Sequence, residues 1–263
     1  SMDTRTAMKI SIITAAWNSA ATIEDTLRSI LAQTYQDWEC IVIDGASSDG
    51  TRNILRSYET RFNGRLHWIS EPDQGIYDAM NKGIAIASGQ VIGMLNADDF
   101  YSANNILDQV AKAFTADKYL DGVYGDIHFV HPDDLSKTVR YYSSKSFTRA
   151  KMKFGFMPAH PSFYVKKEVY DRFGKFDIQY KIAADFESLL RYIYIHRIKT
   201  QYLDMDFVTM RTGGASTASL ANRVTIMREH LRAFRNHGIK NNALRLSLRY
   251  FSKLWESVPH LVR

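Results

Sequence analysis

Short apolar runs alternate along this chain with longer stretches in which apolar residues recur every three or four positions. Residues 9–15 (Lys-Ile-Ser-Ile-Ile-Thr-Ala) form a β-branched run that predicts a strand, and Ile23, Leu27, Ile30 and Leu31 then share one helix face. Residues 38–44 (Trp-Glu-Cys-Ile-Val-Ile-Asp) predict a second strand, residues 51–62 a second helix and residues 66–70 a third strand. Ile76, Met80, Ile84 and Ala87 fall in helical register, residues 91–95 read as a fourth strand, and a helix is expected over 103–115. Strands that alternate with helices imply βαβ units and a parallel sheet, whose ligands gather at the carboxyl ends of the strands.

Beyond Gly122 the pattern changes. Shorter apolar runs at 123–130, 137–142 and 162–165 predict an antiparallel extension of the sheet. A helix over 184–196 follows, then two short strands at 200–204 and 207–210, a Gly-Gly loop and a helical tail. No internal repeat, low-complexity tract or Gly- and Pro-rich linker interrupts the chain.

A length of 263 residues suffices for one large α/β domain or two small ones. The single cysteine, Cys40, lies in an apolar run, which excludes a disulfide framework and fits a reducing compartment. With no apolar stretch near the roughly 18 residues needed to span a bilayer and a polar beginning, the expectation is a cytoplasmic protein, or one held peripherally on the cytoplasmic face of the inner membrane. The net charge of +6 is uneven: residues 223–263 carry nine Lys or Arg against Glu229 and Glu256, so the preceding 222 residues are close to neutral.

Candidate chemistry sits at the predicted strand ends. The fourth strand stops at Asn96-Ala97-Asp98-Asp99, and adjacent carboxylates there favour a divalent cation between them. Hard oxygen ligands suit Mg²⁺ or Mn²⁺, which keep positions open for water and phosphate oxygens, so the implied partner is a nucleoside diphosphate. An acidic turn capping the next helix is the plain alternative. The turn Asp44-Gly45-Ala46-Ser47-Ser48-Asp49-Gly50-Thr51 offers a tight bend, a helix cap and, in Asp44, an acceptor for a base or ribose. Gly-x-Gly-x-x-Gly and P-loop signatures are absent. In the segment from Glu71 to Gly83, Asp78 and Lys82 are four apart on one helix face, either as a surface ion pair or as contacts to the nucleotide or sugar.

Five segments in this order carry a resemblance: Ser-Ile-Ile-Thr-Ala-Ala-Trp-Asn, the Asp-Gly-x-Ser-x-Asp-Gly-Thr turn, Glu-Pro-Asp-Gln-Gly-Ile-Tyr-Asp-Ala-Met-Asn-Lys-Gly, Asn-Ala-Asp-Asp and a late Ala-Asp-Phe-Glu. Over residues 10–216 the chain resembles the family-2 inverting glycosyltransferases with the GT-A fold, particularly the bacterial polysaccharide and O-antigen (lipopolysaccharide) members. The resemblance implies a Rossmann-like, mainly parallel sheet with flanking helices: a catalytic domain over 1–216, divided into a nucleotide-sugar half (9–121) and an acceptor half (122–216), followed by an amphipathic basic helical tail (217–263).

It also implies roles. Asn96-Ala97-Asp98 aligns with the family's Asp-x-Asp motif, which makes Asp98 the metal ligand for Mn²⁺ or Mg²⁺ and Asp99 either a contact to the donor sugar or a support behind the metal ligand. Asn96 departs from that pattern, because an amide brings an acceptor without charge. Thr14, Ala16 and Asn18 border the base of a UDP-sugar, and Asp44, Ser47, Asp73, Asp78 and Lys82 complete the expected donor-binding set. Asp185 matches the catalytic base, with Glu187 the poorer candidate because two residues on a helix turn it away. His160 is a second catalytic candidate near the acceptor cleft, and Arg211 opens a Gly-containing loop (211–216) that meets the diphosphate. Acceptors of similar enzymes are polyprenyl-diphosphate-linked saccharides, and the absent Gln-x-x-Arg-Trp motif argues for one sugar per encounter.

Two other classes compete. A sugar nucleotidyltransferase needs a Gly-rich triphosphate loop that residues 14–21 lack, and a catalytically silent GT-A-like recruitment module is favoured only by Asn96. In the tail, Leu244, Leu248, Phe251 and Trp255 form one stripe, widened by Tyr250 and Leu254, with Arg245, Arg249 and Lys253 expected opposite it. That arrangement suits an anionic membrane surface, or a helix packed on the domain, more than nucleic acid.

Overall fold

All seven residues of β1 (Ile10–Ala16) and all seven of β2 (Trp38–Asp44) are buried, as strands covered on both faces must be. The computed structural model of the protein describes residues 8–213 and 220–257. β1 pairs in parallel with β2 and with β4 (Val91–Met94), and β2 pairs in parallel with β3 (Leu66–Ser70). Helices α1 (Ile23–Leu31), α2 (Thr51–Phe62) and α3 (Ile76–Ile86) make the crossovers. The turn into α2 is capped from just outside: Asp49 accepts the Thr51 amide at 3.0 Å and the Thr51 hydroxyl at 2.5 Å, and Asn63 ends the helix in the left-handed region. α3 lies close against β1, since a Cβ at Gly83 would meet Ile13 Cγ2 at 2.5 Å. A side chain there forces repacking at a cost of about 1–3 kcal/mol.

Among the described residues the sheet has nine strands in the order β3-β2-β1-β4-β8-β6-β9-β5, with β7 paired to β6. The remaining strands are β5 (Phe100–Tyr101), β6 (Gly122–His131), β7 (Asp134–Tyr142), β8 (Tyr164–Lys166) and β9 (Thr200–Arg211). The expected antiparallel extension is only partly correct. β8 is antiparallel to both β4 and β6, and β7 to β6, but β6 runs parallel to β9. Nor are there two strands at 200–210: one continuous strand absorbs irregularities in its pairing near Asp126, so the polar break at residues 204–206 bends the ladder without ending it. Asp126 stitches that region by accepting from Ser144 N at 2.8 Å and from the Tyr202 hydroxyl at 2.9 Å.

Helix α4 (Ile106–Ala116) starts three residues later than expected, and α5 (Lys167–Phe173) carried no clear periodicity. α6 (Ala184–Leu189) continues into a π-helical turn (Leu190–Ile195). The tail forms α7 (Leu220–Asn236) and α8 (Ala243–Ser257). Ala233, Phe234 and Leu246 from these helices join a core cluster that also contains Ile13, Met80, Phe163 and Phe186. Arg249, expected on the solvated basic face of α8, is instead buried, donating to the Gly155 carbonyl at 3.3 Å and bonded to His230 Nδ1 at 2.9 Å. A guanidinium that finds such acceptors is held inside despite its charge. Leu244 and Leu248 face outward, 76% and 48% exposed. The side chains of Phe251, Lys253, Leu254 and Trp255 lie outside the described residues. Among the described residues no helix is long and apolar enough to cross a membrane.

Candidate active site

Strand direction decides which residues share an edge. β1 to β4 are parallel, so the segments after Ala16, Asp44, Ser70 and Met94 open on the same side of the sheet. β8 runs against β4, with Tyr164 paired to Gly93, so the turn His160–Ser162 just before β8 lies at that edge as well. β9 runs with β6 and, through β8, with β4, which brings Arg211 at its end to the same side.

Around β1 and β2 the loops lock one another. Asp44 is fully buried and accepts from the Ser47 amide at 2.9 Å, the Ser47 hydroxyl and the Ser70 hydroxyl at 2.7 Å. Asn18, at positive φ, accepts the Ser48 amide at 2.9 Å and gives its own amide to Ser47 Oγ at 2.8 Å. Thr14 and Ala16 are buried in β1, so their contribution to the edge is backbone; the Ala16 carbonyl takes the Gly45 amide at 2.9 Å. A Cβ at Gly45 would meet Asp73 Oδ2 at 2.9 Å, so glycine lets the Asp73 carboxylate lie over the Asp44 turn. Asp73 also accepts the Gly75 amide at 3.0 Å and Asp78 the Gln74 amide at 2.9 Å, which orders the entry to α3. Lys82 reaches back to Glu71 at 3.1 Å, to the Pro72 carbonyl at 3.2 Å and to Asp78 at 3.8 Å. Trp17, beside Asn18, is 69% exposed at this edge, a large aromatic face that the sequence reading passed over.

After β4, Asp98 is exposed and Asp99 buried. Burial, with the Asp98 carboxylate beside it, holds the Asp99 carboxyl well above its usual range, and Arg211 offsets only part of this. Asp99 Oδ1 and Asn96 Oδ1 are buried without a hydrogen-bond partner among the described residues. These orphaned oxygens beside an exposed carboxylate fit a hard divalent cation. No group of three or more His, Cys, Asp or Glu side chains suited to a metal forms among the described residues; at Asn96 the chain offers an amide oxygen in place of a carboxylate. Arg211 donates to the Asp98 carbonyl and to Asp25 Oδ2 at 2.6 Å. Gly214, Ala215 and Ser216 of its loop lie outside the described residues.

Asp185 stands half-buried at the start of α6. Its Oδ1 accepts the Phe186 amide at 2.7 Å and lies 3.5 Å from the Tyr77 hydroxyl. Burial pushes its carboxyl up from the ordinary value, while His160, the Phe186 amide and Tyr77 pull it back. Burial in turn pushes the His160 imidazole down, with Asp185 opposing, and its ring packs edge-on against Phe176 at 5.5 Å. Tyr77 lies inside the segment from Glu71 to Gly83, but nothing in the sequence marks its reach to Asp185. Glu187 is excluded as a free acid or base, being buried and paired with Arg191 at 2.8 Å and His237 at 3.0 Å.

The glycosyl transferase family 2 profile matches residues 11–173. An uncharacterized glycosyltransferase of Mycobacterium tuberculosis is 34% identical over 185 residues, covering 69% of this chain and 68% of the relative. A PGL/p-HBAD biosynthesis glycosyltransferase of Mycobacterium bovis is 26% identical over 218 residues, covering 83% of this chain and 82% of that protein. Among solved structures, S. aureus TarS 1–349 in complex with UDP-GlcNAc has a TM-score of 0.68 at 20% identity, over 87% of this chain and 67% of TarS 1–349. The mannosyltransferase PcManGT from Pyrobaculum calidifontis, with GDP-Man and Mn²⁺, has a TM-score of 0.66 at 20% identity, over 92% of this chain and 67% of that one. The structural likenesses show the GT-A fold, and the sequence match shows the family: the chain is a glycosyltransferase and belongs to glycosyl transferase family 2.

Proposed function

We propose that this enzyme moves a hexose or N-acetylhexosamine from a UDP-sugar to a hydroxyl of a lipid-linked saccharide acceptor, with inversion and one sugar per encounter, in surface polysaccharide synthesis. The observation that carries the reading is Asp185: a half-buried carboxylate with one oxygen held by the Phe186 amide, linked through Tyr77 to the helix that carries Asp78 and Lys82. In the step, Asp185 takes the proton of the acceptor hydroxyl as its oxygen bonds to the anomeric carbon. The bond from that carbon to the diphosphate breaks, and UDP leaves with the electron pair. A carboxyl pushed above its ordinary value is a stronger base than a solvated one.

His160, whose imidazole burial pushes down while the nearby Asp185 opposes, is the second acceptor-side residue in this reading. Asp98, with the orphaned oxygens of Asn96 and Asp99 beside it, is the ligand set for Mn²⁺ or Mg²⁺. That ion, when bound, offsets charge on the departing diphosphate. Asn18, Ser47, Asp44 and Asp73 shape the pocket for base and ribose, and Arg211 the diphosphate end. Support for the donor comes from the TarS complexes, which hold UDP and UDP-GlcNAc, and support for the pathway from TuaG of Bacillus subtilis, a putative teichuronic acid biosynthesis glycosyltransferase 36% identical over 102 residues.

A lipid-linked acceptor requires a surface to meet it on. Leu244 and Leu248 stand exposed on α8, and Val224, Met227, Leu231 and Tyr250 line a groove of about 540 Å³ between the tail helices, edged by Arg223 and Arg228. Apolar residues rimmed by cations suit an anionic membrane, on the cytoplasmic face in this reading. The test is transfer from a panel of UDP-sugars, with and without Mn²⁺, to acceptor analogues. Metal-dependent transfer that Asp185→Asn slows by roughly 10²-fold or more supports the reading, and normal turnover in that variant overturns it.

A further inference from the structure

The segment that delivers Asp185 is held by a residue far along the chain. Glu229 of α7 is buried and turns its carboxylate onto three consecutive amides, accepting from Lys181 at 2.7 Å, Ile182 at 2.8 Å and Ala183 at 3.0 Å. On the other side of the same segment the Tyr77 hydroxyl donates to the Ile182 carbonyl at 2.6 Å. Residues 181–183 are thus gripped between α7 and α3, and Asp185 follows two residues later. The residue after Asp185 is pinned from the same helix: the His230 ring stacks on Phe186 at 3.9 Å between centroids, and His230 is bonded to Arg249 of α8.

Taking a carboxylate out of water costs several kcal/mol unless its lone pairs are filled. Three amide donors fill them, and charge-assisted bonds of this kind are short and directional. A cost of that size for one loop would be wasteful if the loop carried nothing whose position mattered. A group that takes a proton in a transition state is sensitive to position, with displacement by about 1 Å able to lower the rate by up to roughly 10²-fold.

We propose that Glu229 is a positioning residue for Asp185, so that the first tail helix belongs to the transfer machinery. The inference rests on the reading of Asp185 as the base. It does not make Glu229 a catalytic residue, since its hydrogen bonds go to backbone amides in front of the base.

The test compares Glu229→Gln, Asp185→Asn and the double variant in the full chain, with steady-state transfer from the active UDP-sugar and amide hydrogen exchange over residues 178–186. Glu229→Gln keeps shape and one acceptor oxygen but places an amino group against backbone donors. It should lower kcat by roughly 10- to 10²-fold at unchanged donor KM and speed exchange of the 181–183 amides. The double variant should be no slower than Asp185→Asn alone, because a displaced base that is already disabled has nothing more to lose. Glu229→Asp, which keeps the charge with a shorter reach, should recover part of the loss and carries the same test if the glutamine variant does not fold. Full kcat in Glu229→Gln beside a slow Asp185→Asn overturns the positioning role while leaving the base reading intact. Full kcat in Asp185→Asn overturns the base reading itself, and multiplicative losses in the double variant show that Glu229 acts on something other than Asp185.

Discussion

Arg211 and Asp98 meet through the backbone: the guanidinium at the end of β9 donates to the Asp98 carbonyl while its other arm holds Asp25 of α1 at 2.6 Å. The end of the second half of the sheet is thereby tied to the loop that presents the acidic pair. Arg211 faces Asp99 as well, where its charge counters the burial and the Asp98 carboxylate that raise that carboxyl. A planar fork can serve two acceptors in a way that a single ammonium cannot.

Arg211→Lys should therefore weaken UDP binding in the presence of Mn²⁺ by roughly 10-fold or more, as one charge-assisted hydrogen bond is worth about 1.5–3 kcal/mol. Calorimetric titration with UDP measures it. Unchanged affinity would mean that Arg211 only ties β9 to α1.

Asp98 and Asp99 should separate in the same titration. Asp98 is exposed, whereas Asp99 is buried and its carbonyl takes the Thr26 hydroxyl at 2.6 Å. Asp98→Ala should abolish transfer and lower UDP affinity in Mn²⁺ by at least roughly 10-fold, with Asp99→Ala less damaging to nucleotide affinity. Equal UDP affinity in Asp98→Ala and the parent protein would remove Asp98 as the ligand.

The first half of the sheet was legible because its signals are local. The spans of β2, α2 and β3 follow from the sequence: β2 is a fully buried, largely apolar run, β3 alternates partly covered and exposed residues, and a capped turn fixes the start of α2. The second half depends on pairings between distant segments. That β6 runs parallel to β9 across more than seventy residues, and that β5 is a two-residue strand closing the sheet against β9, leave no trace in periodicity. Ile76 kept helical register yet is exposed, because it is the first residue of α3, at the edge onto which the carboxyl ends of the parallel strands open. Arg249 and Glu229 were invisible for a related reason. Each is a charged residue on a tail helix, and what buries it is a carbonyl 94 positions away, an imidazole on the neighbouring tail helix 19 positions away, or a row of amides 46 to 48 positions away.

The pH dependence of transfer should carry the raised Asp185 carboxyl. The base acts only when ionised, so activity is present above its pKa and lost as pH falls through it. Because burial lifts that value, the acid limb should lie above the ordinary Asp value near 3.9. Tyr77→Phe removes a hydroxyl that favours the carboxylate, so its acid limb should move further up, with the ring still packed on Phe176 at 5.6 Å. Profiles of kcat against pH for the two proteins check the direction. A shift downward would mean that the hydroxyl does not stabilise the ionised form.

The tail helices make the membrane question answerable without truncation, which would also remove the buried Leu246 and Arg249 from the domain. Leu244 and Leu248 are exposed and belong to neither core cluster. Burying a leucine in an apolar phase is worth about 1.5–3 kcal/mol, and each basic residue near an anionic surface about 1 kcal/mol. Replacing both leucines by glutamate should thus lower partition onto vesicles containing anionic lipid by at least roughly 10-fold. Binding of the parent protein should fall as salt screens the basic rim. Transfer to a short soluble acceptor should be spared, because both leucines are exposed, whereas transfer to a lipid-linked acceptor in vesicles should drop with binding. Cosedimentation with anionic and neutral vesicles decides it: equal binding by the two proteins would mean that the exposed leucines of α8 face something other than a bilayer.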